Sequence, residues 1–103
     1  MTNPVSIEPV KFAVSALPTG HPSYADYVIR IVLRPTGWAI FHAGPHGGHG
    51  GKYLSSNGRW SRDEHVFDLD TARALAVDAA VTLSVYGQTV ADVIAADKAA
   101  VVR

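Results

Sequence analysis

His42, His46 and His49 form a His-x3-His-x2-His run within residues 42–51, a stretch in which five of ten residues are glycine. Three imidazoles this close in sequence can reach one Zn²⁺, Ni²⁺ or Cu²⁺, because neutral imidazole nitrogen ligates all three. A working metal centre also needs acceptors that fix each ring. The stretch supplies glycine instead, and no acidic residue lies between Asp26 and Asp63. Ordering so many glycines costs conformational entropy. The expectation is a surface loop with solvated imidazoles and no cofactor. A zinc or other divalent transition-metal site on His42, His46 and His49 is the alternative, and a pH-responsive loop a third reading. Gly44, Gly47, Gly48, Gly50 and Gly51 also satisfy loose phosphate-loop spacings. Yet Lys52 is followed by Tyr53 rather than Ser or Thr. The next segment reads as a strand, whereas a phosphate cradle needs a helix N-terminus.

Three further groups of side chains could do chemistry. Arg30, Arg34, Arg59 and Arg62, with Trp38, Tyr53 and Trp60, have the composition of a basic, aromatic sheet face, on which single-stranded nucleic acid stacks. The plainer reading puts the tryptophans in the core or at its rim and leaves the arginines for solubility. Asp63, Glu64, Asp68 and Asp70 surround His65 and could serve acid/base chemistry. The plainer reading there is a polar loop leading into a capped helix. Ser55, Ser56 and Ser61 follow no nucleophile motif.

The chain has 103 residues, of which nine are Lys or Arg, nine Asp or Glu, five His and none Cys. That length fits one domain, 1–103, with residues 1–9 as a loose N-terminus. The absence of Cys excludes a disulfide scaffold, a cysteine–zinc site, a thiol nucleophile and an Fe–S cluster. Zero net charge removes the broad positive field of most nucleic-acid binders, so nucleic acid is disfavoured. The zero conceals a +2 first half (1–52) and a −2 second half (53–103). No stretch approaches the ~20 apolar residues of a membrane span. The start lacks the pattern of a signal peptide, which makes the cytoplasm the expected location.

The elements that must position these groups follow from periodicity. Residues 10–17 and 26–34 read as strands, the second with Tyr27, Ile29, Ile31 and Leu33 on one face. Arg34-Pro35-Thr36-Gly37 suits a type I turn into a partner strand, 38–42. Asn57-Gly58 predicts a two-residue type I′ hairpin between short strands, 52–56 and 59–61. Residues 65–67 read as one more short strand. Asp70 is the expected cap of a helix over 71–80, with Arg73 and Asp78 opposing its dipole. Val81 to Val85 alternate as a strand that Gly87 ends. Thr89 and Asp92 form a capping box for a helix from about 90 to 99, with Val90, Val93 and Ile94 as its stripe. Strands first and helices later give an α+β fold, a mostly antiparallel sheet with two helices on one face. The alanine-rich face of Ala72, Leu75, Ala76 and Ala79 serves as the helix layer. It could also support a homodimer, helped by Val101 and Val102.

Three segments carry a resemblance. They are Asn57-Gly58-Arg59-Trp60, His65 to Ala72, and Val85 to Asp92. Together they resemble small uncharacterised proteins of actinobacteria and their bacteriophages, over roughly residues 53–96 plus the strand around Trp38. The shared motifs are a hairpin turn and two helix caps, and the 42–51 loop lies outside them. The resemblance implies a small intracellular accessory protein, phage- or mobile-element-encoded, that binds a host or phage macromolecule. No catalytic spacing emerges from the residues. The expected function is therefore a non-enzymatic module that docks a protein partner through Trp38, His46, His49, Tyr53, Arg59 and Trp60. A nucleic-acid-binding sheet face and a metal-binding His loop are the alternatives.

Overall fold

A computed structural model of the protein describes residues 10–42 and 52–101. The main sheet is antiparallel. Its strands β1 (Lys11–Val14), β2 (Ile29–Arg34), β3 (Gly37–His42), β4 (Lys52–Leu54) and β5 (Trp60–Ser61) lie side by side in chain order. A sixth strand, β6 (Val66–Phe67), joins the same edge of β3 that β4 uses. A short helix, α1 (Tyr24–Tyr27), precedes β2. The chain closes with α2 (Leu69–Thr82), a small hairpin of β7 (Ser84–Val85) and β8 (Gln88–Thr89), and α3 (Val90–Val101). The class is α+β, as the order of strands and helices implies. The call on residues 1–9 falls outside the described residues.

Pro35 and Thr36 alone connect β2 to β3, so Arg34 faces Gly37 and Arg30 faces Phe41. Period-two alternation then sends Ile29, Ile31, Ile40 and His42 to one face. The three isoleucines are fully enclosed, and burial of each contributes roughly 1.5–3 kcal/mol. Helix α2 covers that face with Ala72, Ala76 and Ala80, all buried. Their small side chains let the helix approach the sheet closely. Helix α3 packs on α2 and on β8 with Val90 and Val93, while Ile94 stands largely exposed. Of the alanine-rich face, Ala72 and Ala76 are buried against the sheet, whereas Leu75 and Ala79 are only partly buried. Val102 lies outside the described residues. At Gly37 an added Cβ would come within 2.8 Å of the Phe67 carbonyl oxygen, so only glycine lets β6 dock.

Helix α1 takes the start of the strand expected over 26–34, so that Tyr27 is helical and β2 begins only at Ile29, and three further local expectations change. The cap of α2 is Asp68, not Asp70: its Oδ1 accepts from the Thr71 N–H at 2.7 Å, and the helix begins at Leu69. Asp70 then lies in the first turn, where its charge suits the dipole. The ends of α2 are thus better matched to its charges than the expected boundaries implied. Second, Val81 and Thr82 continue the helix, and the strand shrinks to Ser84–Val85. Val81 is exposed, and burial resumes only at Leu83 and Val85. Third, the type I′ turn expected at Asn57-Gly58 does not form there. Around Asn57-Gly58 the loop is three residues long, closed by Gly58 N–H to Ser55 C=O and Ser55 N–H to Arg59 C=O, with only Gly58 at positive φ. Asn57 Oδ1 holds it by accepting from the Ser55 hydroxyl and from the Arg59 N–H. The mirror-image turn lies instead at Tyr86 (φ 52°) and Gly87 (φ 78°). The Thr89–Asp92 capping box forms as expected, with reciprocal bonds of 3.0 and 3.3 Å.

Two stability measurements check this account. Tyr86 is exposed and left-handed, a conformation that costs an L-residue about 1–2 kcal/mol. Tyr86→Asn should therefore raise the melting temperature by a few degrees; a fall would mean that the phenol ring packs favourably. Asp68 is held below its ordinary carboxylate value of 3.8, chiefly by the Thr71 backbone N–H and then by the Thr71 hydroxyl. A depressed folded-state pKa stabilises above the unfolded value and is lost as pH falls through the folded one. The stability gap between wild type and Asp68→Ala should be full at neutral pH and narrow below about pH 4. A gap independent of pH would mean that the carboxylate charge plays no part in the cap.

Candidate functional site

The face of the sheet opposite α2 presents Lys11, Ala13, Arg30, Val32, Arg34, Phe41, Tyr53, Ser61 and Val66, by the strand registers and their alternation. None of these side chains belongs to the buried core cluster. One row crosses five strands: Ala13, Arg30, Phe41, Tyr53 and Ser61 face one another in sequence. Within it the Phe41 and Tyr53 rings lie 5.2 Å apart, tilted by 48°, a separation typical of attractive aromatic pairs. Both rings are half-buried, as is Arg30. Arg34 Nε donates to Glu64 Oε2 at 3.0 Å. Glu64, and after it Tyr53, push the guanidinium pKa up. The row therefore offers one unneutralised cation beside two rings, with a second arginine already paired.

The residues singled out for partner contact do not share this face. Tyr53 lies on it. Trp38 and Trp60 lie on the other side, partly buried against the core, Trp38 with its ring 5.4 Å from Phe12 and Trp60 with its ring 5.8 Å from His42. Arg59 is exposed in the β4–β5 turn. His46 and His49 lie outside the described residues. Phe41 escaped the sequence reading, although its signal was present: a two-residue turn at 35–36 makes Phe41 the partner of Arg30.

His42, His21, Glu64 and Asp68 are held by structural bonds. His42 is fully enclosed. Its Nε2 lies 2.8 Å from the Asp26 carbonyl oxygen, so Nε2 carries the proton. Its Nδ1 is buried and has no hydrogen-bond partner among the described residues. Of the expected triad His42, His46 and His49, the described member could ligate only through that enclosed Nδ1. Among the described residues no group of three or more His, Asp or Glu could hold a metal. His21 accepts the Ser23 N–H on Nδ1 at 2.9 Å and bonds Asp97 through Nε2 at 2.6 Å, which occupies both ring nitrogens. In the acidic cluster, Glu64 is bound to Arg34 and Asp68 caps α2. Long-range ¹H–¹⁵N spectra should show His42 as the Nε2–H tautomer, with that proton protected from exchange. An Nδ1–H tautomer would overturn the hydrogen-bond assignment to Asp26.

Compared with family models, curated proteins and solved structures, the chain matches none of them. No helix among the described residues is long and apolar enough to cross a membrane.

Proposed function

We propose that the protein is a non-enzymatic, cytoplasmic interaction module that docks a partner protein, of phage or host, through the uncovered face of its sheet. The observation that supports this most is the Arg30–Phe41–Tyr53 row, because it is aromatic surface left outside the core. Rigid aromatic and arginine side chains dominate protein interfaces. Charge adds a second line of support. Among the described residues, 10–67 carry six basic and three acidic side chains, whereas 68–101 carry two basic and five acidic. The sheet half is thus net positive and the helical half net negative, which favours a partner with acidic groups around an apolar centre.

Single-stranded nucleic acid is a second reading, favoured by the same two neighbouring rings, whose faces bases could stack on, beside an arginine. The protein reading is preferred because Glu64 neutralises Arg34, which leaves Lys11 and Arg30 as the cations of the face without an ion-pair partner among the described residues. Affinity for nucleic acid grows with the number of phosphates neutralised, and two are few.

Affinity capture with wild type, Arg30→Glu/Tyr53→Ala and the helix-side control Val77→Ser separates these readings. A stoichiometric protein that is retained by wild type and control but lost on the sheet-face variant is the expected outcome. Capture that survives the sheet-face change would place the interface elsewhere. Binding of an oligothymidine at ~10 μM in low salt, abolished by the same variant, would move the function to nucleic acid.

A further inference from the structure

The groove between the C-terminal half of α2 and the β4–β5 turn has a volume of about 360 Å³, near the lower end of the range for small-ligand sites. Leu54, Leu75 and Ala79 supply its apolar lining, and its single ionisable lining group is Asp78. That carboxylate has no ion-pair partner among the described residues. Its helical neighbours three and four positions away are Ala74, Leu75, Val81 and Thr82, none of them basic. The two ion pairs among the described residues, His21–Asp97 and Arg34–Glu64, do not include it. The last turn of α2 holds no basic residue either. A cation seated in the groove would give Asp78 the partner it lacks among the described residues.

We propose that this groove binds an arginine side chain presented by a peptide, with the aliphatic stem along the partly exposed Leu75 and Ala79 and the guanidinium on Asp78. Arginine fits better than a compact ammonium for two reasons. Its planar fork matches a carboxylate with two parallel hydrogen bonds. Its stem also covers apolar surface while the charged end stays at the water boundary. The neighbouring Arg59 is exposed in the turn and is not part of the lining. The site lies on the other side from the Arg30–Phe41–Tyr53 row, since Leu54 has the opposite strand parity to Tyr53 and the other lining residues lie on α2 or in the β4–β5 turn.

The test uses the full chain and two blocked tripeptides, Gly-Arg-Gly and its citrulline counterpart, which keeps the shape but loses the charge. In ¹⁵N-resolved titrations the arginine peptide should give saturable shifts at Ser56, Gly58, Asp78 and Thr82. The citrulline peptide should bind about fivefold more weakly, the effect of one exposed ion pair. Asp78→Asn should weaken the arginine peptide by a similar factor and leave the citrulline peptide unchanged. Free butylguanidinium binding as tightly as the peptide would replace a peptide ligand with a small cation. Equal affinity for the two peptides, or shifts centred on Arg30, Phe41 and Tyr53, would overturn the proposal.

Discussion

The register of the β2–β3 hairpin is the constraint on which the rest depends. Two turn residues, Pro35 and Thr36, fix every pairing between the strands. A slip of one residue would exchange the faces. Ile40 and His42 would turn outward, and Phe41 would press into α2. Strand β3 then hands that register on, to β4 through Phe41 and His42 and to β6 through Trp38 and Ala39. The core face and the aromatic row are two results of one turn.

Helix α2 is fastened to that sheet by apolar packing, and three polar bonds among the described residues add to it elsewhere. The Tyr27 hydroxyl donates to the Gln88 carbonyl at 2.7 Å, tying the end of α1 to the β7–β8 hairpin. Burial first, and then the charges of Asp26 and Asp92, push that phenol pKa up, so it remains a donor. His21 joins the loop after β1 to α3 through Asp97. His42 joins the end of β3 to α1. Apolar contacts set the layers, and these three bonds set how α1, α3 and the small hairpin lie on them.

Much of this was legible in the sequence because the signals were local. Alternation gave β2 and β3, and the Thr89–Asp92 spacing gave the second helix start. What was not legible required competition between neighbours. Asp68 and Asp70 both look like caps, and the choice rests on which one meets the Thr71 N–H. Asn57-Gly58 looks like a mirror-image turn, but Asn57 serves better as an acceptor that braces a three-residue loop. Tyr86-Gly87 does not look like one, since a tyrosine at positive φ is costly. The expected contact residues divide between two faces for a different reason. Tryptophans invite a surface role by residue type, whereas strand parity sends Trp38 and Trp60 inward and leaves the less conspicuous Phe41 outside.

The division of charge between the sheet and helix halves makes the neutral chain an electric dipole. Its two poles cancel for anything far away, and physiological salt screens what is left beyond about 8 Å. A charged partner is therefore not drawn in from a distance, as a strongly charged protein would draw it. It must arrive by diffusion and is rotated only at close range, positive pole toward it if acidic. Such a molecule selects orientation more than it accelerates encounter, and its association rate should vary little with ionic strength.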